Sequence, residues 1–520
     1  MVGAKKVTRH RILKAALIFL VSAALLTAIA GPIIGRVLTN KVKARLEAEN
    51  IHIRSLSVNL FTRSVTLKDV EWEQKAKIKS VHVSGIDILT LIRNRKISIR
   101  KITIDGGSLD LTLDSTKQDQ KKDSINISSI DIGRITIADI AITIKRDTVT
   151  EYKGIVGISL YHVALDSMPG FRDLSSYTFR NLEASIKDLR IHYSGALYVL
   201  KTKEFAFNKE LQTLHIDSLI LDPIPSKADW GKIVKSQDTR TTVKIGVLDA
   251  SGVKMGIHMN DTSVMAKSLT LDGWYIHAYK NKKYPFRRTK KFPLPMESFR
   301  AIGIGIEIDS IKLHKGTVIY EELPVEGYHY SWIKFDDVEA TMNAVNNRDY
   351  KNFSGYSTLV ARGRVMKSGE VKATFKLPLE PKARYKAEGT IANLPLTELN
   401  PLLKDMAFVE ITSGKLKKLS FQFDYDDDGS QGQVHFQYED LKFLSLKKDR
   451  HMDVNAFKTM LANTAVKNDK TLDGNINVKR VKQKAVFNLW TISIVDGLKS
   501  ALIPGNGKKK REKEKEKEKG

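Results

Sequence analysis

The side chains that could do chemistry in this chain are carboxylates, imidazoles and clustered cations, and their spacing limits what that chemistry could be. Asp424, Asp426 and Asp428 stand at alternate positions before Gly429, which is how a calcium loop opens, with carboxylates at positions one, three and five and glycine at six. Its twelfth position is His435, where a bidentate glutamate is required. The run also joins strand-like Leu419 to Tyr425 with Val434 to Tyr438, so an acidic hairpin turn is the simpler expectation. The histidines are scattered, and His52, His82, His192, His215 and His258 take polar strand positions, which reads as solvent-facing side chains. H-E-x-x-H and G-x-S-x-G are absent, and Gly505-Asn506-Gly507-Lys508 lacks Walker A spacing. No catalytic residue, metal or cofactor is expected, and no enzyme.

The strongest polar feature is a basic connector. Lys280, Lys282, Lys283, Arg287, Arg288, Lys290 and Lys291 interleave with Tyr284, Phe286 and Phe292. In a cytosolic protein such a run suits nucleic acid, because cations neutralise phosphates while rings stack on bases. Outside the cytoplasm the same chemistry suits lipid headgroups or anionic polysaccharide. A solvated loop is the plain alternative. Lys282, Lys283, Arg287, Arg288, Lys290 and Lys291 are taken as candidate headgroup contacts.

The elements that must carry these residues follow from a recurring spacing. Apolar residues fall at steps of two, three, two, three, two and two: Ile97, Ile99, Ile102, Ile104, Gly107, Leu109, Leu111, and again from Ile130 to Ile144. Further copies begin at Val243 (with Ile245 and Leu248), at Ile306 (with Ile308, Ile311 and Leu313) and at Val409 (with Leu416, Leu419, Phe421 and Phe423). Weaker copies begin at Ala184 and Val264. A step of two alternates sides in a strand, so the pattern excludes an amphipathic helix. A step of three would turn later apolar residues to solvent unless an extra residue is absorbed. A bulge is expected at the first three-step, and a turn or second bulge at the second, where Gly106-Gly107, Ser251-Gly252 or Lys315-Gly316 stand. Repeated bulges would curl one apolar face into a trough; an ordinary sandwich core is the alternative. Ile97, Ile99, Ile102, Ile104, Val243, Ile245, Leu248, Ile306, Ile308, Ile311, Leu313, Leu416, Leu419, Phe421 and Phe423 are the candidate lining.

The two ends differ from the rest. Of the net charge of +27, five positive charges lie in residues 1–14, ahead of an uncharged apolar run, Ala15 to Ile34. That run is long enough for one bilayer crossing, with Met1 on the cytoplasmic side. A cleaved signal peptide is the rival reading, since Ala28-Ile29-Ala30 has the form of a cleavage site. Both readings export the rest. The chain holds no cysteine, which excludes disulfides and thiolate chemistry. At the other end, Phe487, Trp490, Ile494, Leu498 and Leu502 make a helical stripe, weakened by Gly497, before a charged tail. Such a helix could dock on anionic lipid or pack on the end of the sheet.

The expected organisation is a basic segment (1–14), a transmembrane helix (15–35), a juxtamembrane helix (36–50), an N-terminal β region (51–295), a C-terminal β region (296–486), an amphipathic helix (487–503) and a disordered charged tail (504–520). The expected fold is mainly β: an N-terminal transmembrane helix, then an elongated, curled, repeat-built sheet groove with few short helices and a C-terminal amphipathic helix.

These features together resemble the AsmA-like family of Gram-negative envelope proteins. The resemblance rests on the single N-terminal crossing, on phrases such as Leu56-Ser-Val-Asn-Leu-Phe-Thr-Arg-Ser-Val-Thr-Leu-Lys-Asp-Val70, and on the ending Leu394-Pro-Leu-Thr-Glu-Leu-Asn-Pro-Leu-Leu403, Ile411-Thr-Ser-Gly-Lys-Leu416 and Tyr438-Glu-Asp-Leu-Lys442. It implies an inner-membrane-anchored periplasmic protein whose curled sheet passes phospholipid between membranes, with envelope proteins as further partners and no nucleic acid. A scaffold or assembly factor with a filled core is the alternative.

Overall fold

The alternation of apolar and polar residues builds strands along nearly all of the chain. The computed structural model describes residues 50–502 apart from 60, 73–74, 95, 114–128, 147–148, 166–177, 194–196, 259–260, 288, 290, 349–354, 450 and 456–469, together with Lys43, Leu46 and Glu47. The expected transmembrane helix and the charged tail lie outside the described residues. Among those described, no helix is long and apolar enough to cross a membrane. The fold is mainly β with few short helices, in two compact units, Met1–Leu219 and Ile220–Gly520.

The first unit holds β1 (Ile51–Asn59), β2 (Ser64–Trp72), β3 (Ala76–Ile86), helix α1 (Ile88–Asn94), β4 (Lys96–Leu113), β5 (Ser129–Arg146), β6 (Val149–Leu165), β7 (Asn181–Tyr193), β8 (Tyr198–Asn208) and the start of β9 (Thr213–Pro223). From β1 to β8 each strand pairs with the next, antiparallel except for β4 and β5. The second holds α2 (Lys227–Val234), β10 (Arg240–Ser251), β11 (Lys254–His258), β12 (Asp261–Asn281), α3 (Pro295–Arg300), β13 (Gly305–Leu323), β14 (Ser331–Asn346), β15 (Tyr356–Val365), β16 (Gly369–Pro378), β17 (Tyr385–Pro395), α4 (Asn400–Ala407), β18 (Val409–Tyr425), β19 (Gly429–Ser445), β20 (Lys470–Lys479) and α5 (Val486–Leu502). Both β10 and β11 pair with β12, and β12 runs parallel to β13. The strands then continue antiparallel in chain order to β20. The strands belong to one 20-stranded sheet, and among the described residues no pairing joins its first strand to its last, so the sheet is open.

A parallel pair needs a crossover of about a dozen residues or more. The basic connector, from Lys282 onward with α3, is that crossover for β12 and β13. Parallel pairing also explains the repeats. Ile97 faces Ile130, Ile99 faces Ile132, and so on to Leu111 and Ile144, position for position. The copy from Ile306 faces the weaker copy from Val264 in the same way.

The steps of three are creases inside continuous strands. At the first, the ladder passes from Ile99↔Ile132 to Lys101↔Arg134, stepping over Arg100 and Gly133. Gly85 (φ 67°) stands opposite Arg100, and His162 (φ 51°) opposite Gly133. At the second, Gly106 (φ 64°) and Asp139 (φ 52°) are stepped over together, in line with Lys79, Asp69 (φ 51°) and Arg54. The second unit repeats the device: Gly252 (φ 65°), Lys267, Asp309 and Ala344 (φ 57°) make one row, and Gly246, Gly273 (φ 66°) and Lys315 (φ 52°) another, beside which the β13–β14 ladder shifts register. One residue turned into the left-handed region restores the alternation, so apolar side chains on both sides of it keep one face. Asp and His tolerate that region better than most residues. Of the two expectations for the second three-step, an irregularity within the strand holds in β4, β5 and β13, and a break in the chain holds at Gly252, between β10 and β11.

Two smaller features are local. Ile88 opens α1, because Asp87 caps that helix by accepting from the Thr90 N–H at 3.2 Å and its hydroxyl at 2.6 Å. Asn50 (φ 60°) directly precedes β1, and Leu46 is buried against Ile51, Ile53, Leu67 and Val81.

Candidate functional site

The candidate lining residues share the apolar face, yet they fall into two environments. Ile97, Ile99 and Ile102 are buried in a cluster with Val65, Val83, Ile86, Ile130, Ile132 and Val163, and Ile104 packs half-buried at its margin. Leu416, Leu419, Phe421 and Phe423 are buried in the core of the second unit. Val243, Ile245, Leu248, Ile306, Ile308, Ile311 and Leu313 are half-buried and, among the described residues, join no buried cluster. Cross-strand pairing makes these last a continuous patch: Val243 opposes Ile276, Leu248 opposes Leu271, Leu271 pairs with Leu313, and Ile311 opposes Met342.

What closes the far end is α5. Its most buried line is Val486, Leu489, Ser493, Gly497 and Ala501, one residue ahead of the expected stripe. Phe487 is 69% exposed, while Trp490 is half-buried, stacked on Phe375 at 4.4 Å and edge-on to Tyr425 at 6.1 Å. The small residues set the seam because the helix lies almost on the strand backbone. A Cβ on Gly474 of β20 would meet the Gly497 carbonyl oxygen at 1.9 Å. Ser493 and Ser430 share a buried hydrogen bond of 2.7 Å. The glycine that weakens α5 as an isolated helix is what admits it to the sheet.

The basic connector is partly consumed by the protein itself. Lys282 donates to Glu322 at 2.7 Å, and Arg287 pairs with Asp238 at 3.5 Å while donating to the Val234 carbonyl at 2.9 Å. Both therefore hold internal acids, contrary to the expectation that they face a ligand. Lys283 lies exposed over Tyr328, Lys291 is exposed, and Arg288 and Lys290 lie outside the described residues. Nor is the connector a loose loop: Phe292 donates its N–H to the Lys482 carbonyl at 2.9 Å, and Tyr284 lies against Gly231 of α2.

Several polar groups at the end of β12 and β13 escape a reading of the sequence. Glu322 is 1% exposed; Lys282 takes one of its oxygens and the Tyr320 hydroxyl donates to the other. Beside it, Glu321 accepts from Lys227 at 2.6 Å and pairs with His277 at 2.9 Å, and Lys227 also lies over Tyr279 and Tyr330. Burial pushes the Tyr320 and Tyr279 hydroxyls well above the ordinary tyrosine range. Burial, then Lys282, lowers the pKa of Lys280. The available signal was an acid in step with the apolar positions: Val318, Tyr320 and Glu322 continue one row.

Asp426 to Asp428 form the expected hairpin turn between β18 and β19. Asp426 accepts from the N–H groups of Asp428 and Gly429, and Asp427 is held by Arg480 and Lys482. No group of acids and histidines suited to a metal occurs among the described residues. A cavity of about 820 Å³ opens across β13 to β19, lined by charged and polar members such as Glu339, Arg362, Lys372 and Gln422 together with Val360 and Phe421. Its Glu339 accepts the Lys315 N–H at 3.1 Å and meets His314 at 2.6 Å, so it secures a crease, and these contacts lower its pKa. Compared with known proteins, the chain matches no family model and no curated relative.

Proposed function

We propose that this chain is a single-pass, inner-membrane-anchored periplasmic protein that binds or conducts phospholipid along the apolar face of its sheet, in support of the outer membrane. The observation that carries this reading is the patch on β10, β12 and β13: in register, half-buried, and joined to no core among the described residues. Acyl chains laid on such a face gain about 0.8 kcal/mol per buried CH₂. The apolar run from Ala15 to Ile34 would supply the anchor. The likeness to AsmA-like proteins agrees with this reading and adds no residue-level support.

A scaffold role for part of the chain has its own supporting observation. At β15 to β20, α5 together with α3, α4 and the turn at Leu396–Leu399 covers the apolar face, so Leu416, Leu419, Phe421 and Phe423 serve a filled core. Photo-crosslinking in the full chain separates the two readings. A benzophenone side chain at Leu271, Ile308 or Ile311 should yield phospholipid adducts by mass spectrometry, and one at Thr270 or Lys312, on the polar side, should not. Protein adducts at Ile308 with no lipid would establish the scaffold instead.

A further inference from the structure

We propose that the end of the apolar face between β12 and β13 is a phosphate-binding site whose ligating cations are Lys280 and Lys484. The inference deepens the lipid reading by assigning a place to the headgroup, and it rests on that reading only for the source of the phosphate. The rows of the face run Ile276↔Val318, Ala278↔Tyr320 and then Lys280↔Glu322. A charged pair thus follows directly on the apolar members, at the point where a lipid changes from acyl chain to headgroup.

The charges at this point do not cancel. Lys280, Lys282, Lys484 and Arg287 gather around two carboxylates, Glu322 and Asp238. Glu322 is occupied on both oxygens, by Lys282 and by the Tyr320 hydroxyl, and Asp238 is paired with Arg287. Lys484 lies over the Phe286 ring at 5.8 Å from its centre. Among the described residues, neither Lys280 nor Lys484 has an ion pair. A half-buried lysine that faces two other lysines is costly to keep charged. An anion between Lys280 and Lys484 would relieve that cost, and a phosphate offers several acceptor oxygens for the ammonium donors. Lys282 is excluded as a ligand because it already neutralises Glu322.

The test uses the full chain in neutral detergent with two fluorescent-tailed probes, phosphatidic acid and diacylglycerol of identical chains. The wild-type protein should bind phosphatidic acid about tenfold more tightly, as expected for two charge-assisted contacts. K280Q/K484Q should bind the two lipids equally, with diacylglycerol affinity unchanged, and K280R/K484R should keep the preference. A preference that survives in K280Q/K484Q overturns the site and leaves the lipid reading standing. If neither lipid binds, the lipid reading falls. In that event, ³¹P line broadening of inorganic phosphate by the wild-type protein and not by K280Q/K484Q supports a site for free phosphate, and no broadening overturns it. Thermal melting of K280Q/K484Q at or above the wild-type temperature, as removal of mutually repelling charges predicts, excludes unfolding as the cause of a lost preference.

Discussion

Two stretches of the second unit use one pattern to different ends. On β10, β12 and β13, isoleucines, leucines and valines at creased strand spacing make a face that stays half-buried. On β15 to β20 a similar alternation makes a face that disappears beneath α5 at one end and beneath α3 and α4 at the other, with Tyr425, Tyr438, Phe423 and Val434 almost wholly enclosed. The strands do not differ in kind. The difference lies in the covering element, and in the small residues Gly474, Ser493, Gly497 and Ala501 that let it approach. Alternation thus decides which side of a sheet is apolar, and a separate set of small residues decides whether that side is closed.

Substitutions at the closed end should have the largest effects. Phe421→Ala should cost about 3–5 kcal/mol in urea unfolding, as for a large ring removed from a core. Gly474→Val should cost about 3 kcal/mol, since its side chain has no room beside Gly497, and near-UV circular dichroism should report α5 displaced. Asp at Ile306 and Ile311 together should leave a folded protein that no longer gives lipid adducts, whereas Phe421→Asp should unfold the closed end; equal damage from both would erase the distinction between the stretches.

Alkaline pH offers a gentler probe. Burial pushes the Tyr385 hydroxyl up to about 12 and raises Tyr425 and Tyr438 as well. Unfolded tyrosines lose their protons near pH 10, so between about 10 and 12 the folded state retains protons that the unfolded state has released. Stability is then intact below pH 10 and falls as the pH rises through that window. Trp490 fluorescence should follow the loss; a midpoint unchanged from pH 8 to 11 would contradict it. The smallest effect is expected at a crease on the open stretch: Ala344→Gly should stabilise by about 0.5–1 kcal/mol, because alanine is strained at φ 57° and glycine is not.

Much of this architecture was legible in the residues. The strands, the acidic hairpin at Asp426, the Ser226 cap of α2, which accepts the Asp229 N–H at 3.1 Å, and the C-terminal helix all follow from periodicity and local hydrogen bonding. The creases were legible as missteps in a period of two, the second as either a turn or a bulge. The pairing of repeats was not legible, because a parallel register is set by contacts far apart in sequence. The seam of α5 was hidden for a related reason: hydropathy favours Trp490, Ile494 and Leu498, and close approach is governed by what is small. Glu322 and its partners were missed because a charge at an apolar position reads as an imperfection until its neighbours across the ladder are known.

Aligned creases also bear on how such a sheet lengthens. A strand copied together with its crease positions can dock beside its parent in phase, bringing an apolar row, two bends and a polar back in one step. The match of Ile97–Leu111 to Ile130–Ile144 is the register such a copy would take. Sheet length becomes a quantity that changes by tandem duplication, one whole strand at a time, without redesign of the surface it extends.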